Sequence, residues 1–202
     1  MQHNQLGALE LFLVPVGQDR EGCITRRSST GSSAQMREDR PCQHAEGITL
    51  RPIRPGDEGF LYDVYASTRL DELAALGWSD AQREAFLRMQ FRAQHQSYLA
   101  QLPMADFAII LRHERPIGRL YIERKTDEMR GIDIALLPEY RQAGIGTAIL
   151  RDLLSEAARD GKPFRIHVQK FNRAQRLYER LGFTTLDDDG VYLFMGWRPV
   201  AP

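Results

Sequence analysis

Apolar positions along the chain switch between a spacing of two and a spacing of three to four, and these switches mark out successive strands and helices. Residues 48–53 contain β-branched side chains and run into Arg54-Pro55-Gly56-Asp57, which predicts a first strand turning into a helix cap. Phe60, Leu61, Val64 and Tyr65 then share one face of a helix over about 57–68. Residues 70–78 read as a loop. Ser79-Asp80-Ala81-Gln82 has capping-box spacing and opens a longer helix to about residue 100, with Phe86, Met89 and Phe91 among its apolar members. Strand-like runs at 106–111 and 116–123, joined by the polar turn His113-Glu114-Arg115, predict a hairpin. The second of them pairs onward, through Lys125-Thr126-Asp127-Glu128, with the next apolar run.

That run, 132–137, holds Ile132, Ile134, Ala135, Leu136 and Leu137, with Asp133 as its only charge, and suits a strand buried on both faces. Pro138 ends it, and Arg141, Gly144 and Gly146 form a tight turn. Ile149, Leu150, Leu153, Leu154, Ala157 and Ala158 follow at helical spacing until Gly161 stops the helix. Residues 164–169 alternate, with Ile166 and Val168 on one face and Arg165, His167 and Gln169 on the other. Coming after a helix, this strand can lie parallel to 132–137. Asn172 caps a short helix, Gln175 takes the reciprocal position, Ala174, Leu177, Tyr178 and Leu181 face inward, and Gly182 ends it. Asp189-Gly190 signals a hairpin ahead of 191–197. The order is β-α-α-β-β-β-α-β-α-β-β.

Residues 1–47 stand apart. A strand-like piece at 9–16 is followed by a tract rich in Ser, Gly, Arg and Asp, which predicts a largely disordered extension ahead of a domain over 48–198. The 202 residues suffice for one domain with a proper core. Lys plus Arg and Asp plus Glu both number 27, so no global field draws the chain to nucleic acid or an anionic membrane. Cys23 and Cys42 support neither a disulfide framework nor a zinc site, and a cytoplasmic location fits. The apolar patch near residues 6–16 lacks a basic leader and is too short to span a bilayer.

The glycine turn carries the first chemistry. The opening amides of a helix lack internal partners and carry partial positive charge, so they favour an anion. Gly144 and Gly146 remove the Cβ atoms that would keep a phosphate away, while Arg141 and Thr147 offer further donors. The Walker pattern is absent because Gly161-Lys162 is followed by Pro163, and the dinucleotide pattern fails because Ile149 stands where its third glycine belongs. Arg141-Gln142-Ala143-Gly144-Ile145-Gly146 instead resembles the Gln/Arg-x-x-Gly-x-Gly/Ala signature of the GNAT superfamily of acetyl-coenzyme A-dependent N-acetyltransferases. Residues 171–183, FNRAQRLYERLGF, are similar to that family's N-x-x-A-x-x-L-Y-x-x-x-G-F segment, and the resemblance covers about 48–197.

The resemblance implies an α+β fold, a mixed α/β sheet: seven mostly antiparallel strands with a splayed parallel pair, flanked by about four helices. It implies acetyl-CoA as cosubstrate and no metal. Arg141, Gln142, Ala143, Gly144, Ile145, Gly146 and Thr147 would hold the pyrophosphate. Pantetheine would pass between the splayed strands, with the main-chain N–H groups of Leu136 and Leu137 near the thioester carbonyl. Tyr178, matching the family's L-Y motif, would give a proton to the departing thiolate, and Asn172 would orient the cofactor or Tyr178. The first two helices would wall the acceptor site.

The base is open at this level. Asp133 is a lone carboxylate in an apolar strand, Glu123 lies on the neighbouring strand, and either can instead partner an arginine such as Arg119 or Arg130. His167 is a third candidate or a structural histidine. Asp71 and Glu72 can face a cationic amine or simply be solvated. No cysteine follows Cys42, which leaves direct attack in a ternary complex rather than a covalent cysteine route. The acceptor would be a small-molecule amine or a protein amine, and a homodimer is a family-level expectation. A non-catalytic coenzyme A-binding sensor or assembly module with the same fold is the alternative.

Overall fold

The computed structural model describes residues 40–41, 46–74 and 76–199. The strand-like piece at 9–16, both cysteines and most of the extension lie outside them. Among the described residues the strands are β1 (Arg40–Pro41), β2 (Ile48–Pro52), β3 (Asp106–Arg112), β4 (Arg115–Arg124), β5 (Met129–Leu136), β6 (Phe164–Gln169), β7 (Thr184–Asp188) and β8 (Tyr192–Trp197). The α-helices are α1 (Glu58–Ser67), α2 (Leu70–Ala74), α3 (Asp80–Gln101), α4 (Ile145–Arg159) and α5 (Gln175–Arg180). One sheet runs in the order β1-β2-β3-β4-β5-β6-β8-β7. Every neighbouring pair is antiparallel except β5–β6.

The seven expected strands are present, and the two-residue β1 pairs with Thr49 and Leu50 at the edge. Sheet pairing therefore reaches upstream of residue 48, into the stretch read as an extension. Residues 70–78 are not wholly a loop, since α2 occupies Leu70–Ala74. Asp71 and Glu72 lie in it, and their side chains are outside the described residues. The α3 capping box forms as expected, with the Gln82 N–H donating to Ser79 Oγ at 3.3 Å and the Ser79 N–H to Gln82 Oε1 at 2.9 Å. Asn172 and Gln175 do not make the reciprocal pair expected of them. Asn172 Oδ1 accepts from the Ala174 N–H at 2.9 Å, and Gln175 reaches down its own helix to Glu179.

Two cores lie on opposite faces of the sheet. One packs α4, Tyr178 of α5 and Phe183 against Ile110, Leu120, Ile122, Phe164 and Ile166. The other packs Leu61, Tyr62 and Tyr65 of α1, Leu73 of α2 and Leu87, Phe91 and Tyr98 of α3 against Ile109, Leu111 and Tyr121. Burying each such side chain contributes on the order of 1.5–3 kcal/mol, so the sheet is held from both sides. No helix among the described residues is long and apolar enough to cross a membrane.

Asp57 ties the end of β2 to the start of α1. Its carboxylate accepts two bonds from Arg51, each 2.7 Å, and a third from the Arg54 N–H at 2.7 Å. The Arg51 hydrogen bond, outweighing the opposing effect of burial, lowers its pKa below the ordinary 3.8. An acid with a lowered folded pKa contributes stability that is complete above its unfolded value and is lost as pH falls through the folded one. Asp57→Asn is therefore expected to flatten the pH dependence of stability below 3.8. Urea unfolding measured from about pH 5 downward checks it, and an unchanged slope would contradict it.

Candidate active site

The parallel pair β5–β6 is joined only at Met129↔Phe164, Arg130↔Arg165 and Gly131↔Ile166. Beyond Gly131 the two strands part, while each keeps its antiparallel neighbour on the far side. A cavity of about 170 Å³ opens there, lined by Asp133, Ile134 and Ala135 of β5 and by His167, Val168 and Gln169 of β6. A bulge shapes its β5 wall. Tyr121 pairs with Asp133 and Ile122 with Gly131, so Ile132 is the extra residue. The bulge shifts the alternation by one. Met129 packs in the α4 core, Ile132 in the α1–α3 core and Ile134 again in the α4 core. Asp133 is thereby aimed at the α1–α3 side.

Register also decides which backbone groups reach the gap. The Leu137 N–H donates to Ile117 O at 2.9 Å, so Gly118 and Leu136 form a non-hydrogen-bonded pair. The N–H groups of Leu136 and Ile134 therefore point away from β4, toward the parted strand. Of the two amides expected at the thioester, Leu136 is suitably turned and Leu137 is not, because the sheet already uses it. Ile134 is the residue that sequence reasoning missed.

At the same end of the sheet, Gln142 and Gly144 adopt left-handed φ values of 61° and 79° and bend the chain into α4. A Cβ built on Gly144 or Gly146 meets no atom within 4 Å. Gly144 is required by its backbone angle, whereas no packing requires Gly146, although a glycine inside a helix costs about 1 kcal/mol relative to alanine. The open space lies beside the first-turn amides of Ile145, Gly146 and Thr147, which have no acceptor one turn back. This cradle fits the pyrophosphate of coenzyme A. Arg141 is braced elsewhere in this structure. Its Nε donates to Leu136 O at 2.8 Å and its Nη2 to Ser67 Oγ at 2.8 Å, joining the turn to the end of α1.

Tyr178 is buried on α5, lines the cavity and packs edge-on against Phe183 at 5.6 Å. Burial, and secondarily the charge of Asp133, pushes its pKa up to about 12. Asn172 and His167 also line the cavity, the latter stacked on Phe194 at 4.6 Å. Asp133 is an ion-pair partner of buried Arg119 at 2.6 Å, which is the structural alternative left open above and also keeps the carboxylate at the cavity wall. Glu123 does not line the cavity. It sits near Lys125, 3.7 Å away, and the site draws nothing from it. Tyr65, Gln94, Tyr98 and Arg69, absent from the sequence reading of the site, complete its α1–α3 side together with Arg119. Among the described residues, no group of three or more His, Cys, Asp or Glu is arranged to hold a metal ion.

Residues 103–185 match the family model described as an acetyltransferase (GNAT) domain. Among solved structures the chain is similar to the PaiA N-acetyltransferase of Thermoplasma acidophilum in complex with coenzyme A, at 20% identity and a TM-score of 0.57, covering 75% of this chain and 98% of that one. An acetyltransferase from Thermus thermophilus is similar at 18% identity and a TM-score of 0.56, over 77% of this chain and 99% of that one. The alpha-N-protein acetyltransferase RimL in complex with coenzyme A follows at 16% identity and a TM-score of 0.54, over 80% and 98%. No curated protein matches the chain. The structural likenesses show the fold, and residues 103–185 carry the likeness to the family. Over residues 103–185, which include the parted parallel pair and the glycine-edged helix start, the chain is similar to the acetyltransferase (GNAT) domain.

Proposed function

We propose that the protein transfers an acetyl group from acetyl-coenzyme A to a primary amine by direct attack within a ternary complex. The observation that carries this reading is the parting of β5 and β6 after Gly131, which puts Tyr178 and Asp133 in one cavity lined also by Leu150 and Leu153 of the helix whose start is unobstructed. Acetyl-coenzyme A supplies an acetyl group already activated as a thioester. The amides at the start of α4 receive its negative charge, and the turned-out backbone of Ile134 and Leu136 bonds an extended amide-bearing arm. Leu150, Leu153 and Phe164 give that arm an apolar wall.

Tyr178 holds a proton at Oη throughout the neutral range and is the donor for the leaving sulfur. Asp133, the one carboxylate lining the cavity among the described residues, is placed to take the proton that the amine gives up. A sensor or assembly module would need the helix start but neither of these groups, which favours the enzyme.

Calorimetric titration of acetyl-coenzyme A tests the reading, with Gly146→Val as the comparison. A Cβ at this position meets no atom outside its own stretch of helix within 4 Å, so the variant is expected to fold and melt close to the parent. Its acetyl-coenzyme A affinity is expected to fall at least about tenfold, because the branched side chain occupies the approach to the amides. A folded parent that binds no acetyl-coenzyme A would overturn the proposal.

A further inference from the structure

The cavity has two chemically different sides. Toward α4 it is walled by Leu150, Leu153, Phe164 and Ile166, and toward α1 and α3 it is polar. The glycine-edged turn belongs to the α4 side, so the amine must enter from the other. There, donors outnumber acceptors. Arg69, Gln94, Tyr98 and Arg119 are each less than a tenth exposed, and against them stands a single carboxylate, Asp133. One oxygen of Asp133 already accepts from Arg119.

Two of these donors are unsatisfied. Arg119 Nε and the Tyr98 hydroxyl are buried without a hydrogen-bond partner. A buried donor left unmade carries its full desolvation penalty, so such groups are kept where something else bonds them. They also converge on one spot. Tyr98, Arg119, Arg69 and Asp133 all line the same cavity, and burial raises the Tyr98 pKa, so the phenol remains a donor at any working pH. A cluster with two guanidiniums, a phenol and an amide calls for a ligand that brings acceptor oxygens and negative charge. A polyamine would instead add cations to a site whose lining already holds two cations against one anion.

Resting on the acetyl-transfer reading above, we propose that the acceptor is a small amine that also carries a carboxylate, such as a free α-amino acid, with the carboxylate received by Tyr98, Arg119 and Arg69. The carboxylate requirement sets this class of acceptor apart from simple amines and polyamines. It also separates such an acceptor from a polypeptide N-terminus, which has no carboxylate on its first residue's backbone.

The test is a thiol-release assay on the full chain with matched sets of acceptors: an α-amino acid, its carboxamide, the amine lacking the carboxylate, and a diamine. The expected result is a kcat/KM at least about tenfold higher for the acid than for the other three. Tyr98→Phe removes a hydroxyl with no protein partner, so its melting temperature should match or exceed that of the parent while KM for the acid rises and KM for the carboxamide does not. Arg69→Gln should do the same to KM, with Arg69→Lys recovering part of the loss. Amines lacking a carboxylate used equally well or better would overturn the inference, showing water alone on these donors. So would acetyl-coenzyme A binding with no acid turned over. If acetyl-coenzyme A itself fails to bind by calorimetry, the underlying reading falls, and this inference falls with it.

Discussion

Replacing Tyr178 by Phe is expected to lower kcat about 100-fold while leaving the melting temperature and the affinity for acetyl-coenzyme A little changed. The substitution keeps the ring and its edge-on contact with Phe183, so packing in the α4 core is preserved. Only the hydroxyl is lost, in a cavity where burial and the Asp133 charge hold its pKa at about 12. A proton held that firmly is present at every practical pH. The parent's pH–rate profile should therefore show no limb from Tyr178 at neutral or moderately alkaline pH. Turnover by thiol release, binding by calorimetry and stability by thermal melting separate the effects. A variant with full turnover would remove Tyr178 from the chemistry. A parent that binds acetyl-coenzyme A but acetylates no amine would favour the sensor or assembly alternative.

What was legible in the sequence was what short stretches decide for themselves. Ser79 and Gln82 satisfy each other within one turn, so the start of α3 could be read from four residues. Gly144 marks a turn that its own backbone dictates, and its left-handed φ agrees. The site's finer geometry depends on partners distant in the chain. Ile132, Ile134 and Leu136 alternate as if in an unbroken strand, and only pairing with β4 reveals the bulge that aims Asp133. The same pairing consumes the Leu137 amide and turns out that of Leu136. Arg141 reads as a phosphate donor by position, yet Ser67, on a different element, holds it. Five residues of α2 are too few to display a helical period. Tyr98 lies inside an ordinary helical pattern, and nothing local distinguishes a core tyrosine from one that lines a cavity.

Arg119→Met is expected to destabilise the domain by about 3–5 kcal/mol, the usual consequence of stranding one member of a buried ion pair. The side chain of Arg119 is 4% exposed and that of Asp133 16%, so water screens the pair poorly. Burial works against the guanidinium charge, and Asp133 with the nearby phenols outweighs it. Removing Arg119 leaves the carboxylate near the Tyr98 and Tyr121 phenols without its partner. The companion variant, Arg119→Met with Asp133→Leu, removes both charges. It is expected to regain most of the lost stability, because an apolar pair of similar volume avoids the desolvation that the ion pair must offset. Denaturant unfolding of the two single variants and the double variant gives the coupling directly. Acetyl transfer, measured on the same proteins, is expected to remain low in the restored double variant. Stability would then have been rescued and chemistry not, which assigns the pair a role at the cavity beyond holding β5 to β4. If the double variant turns over like the parent, the pair serves the fold alone, and the proton from the amine must leave by another route.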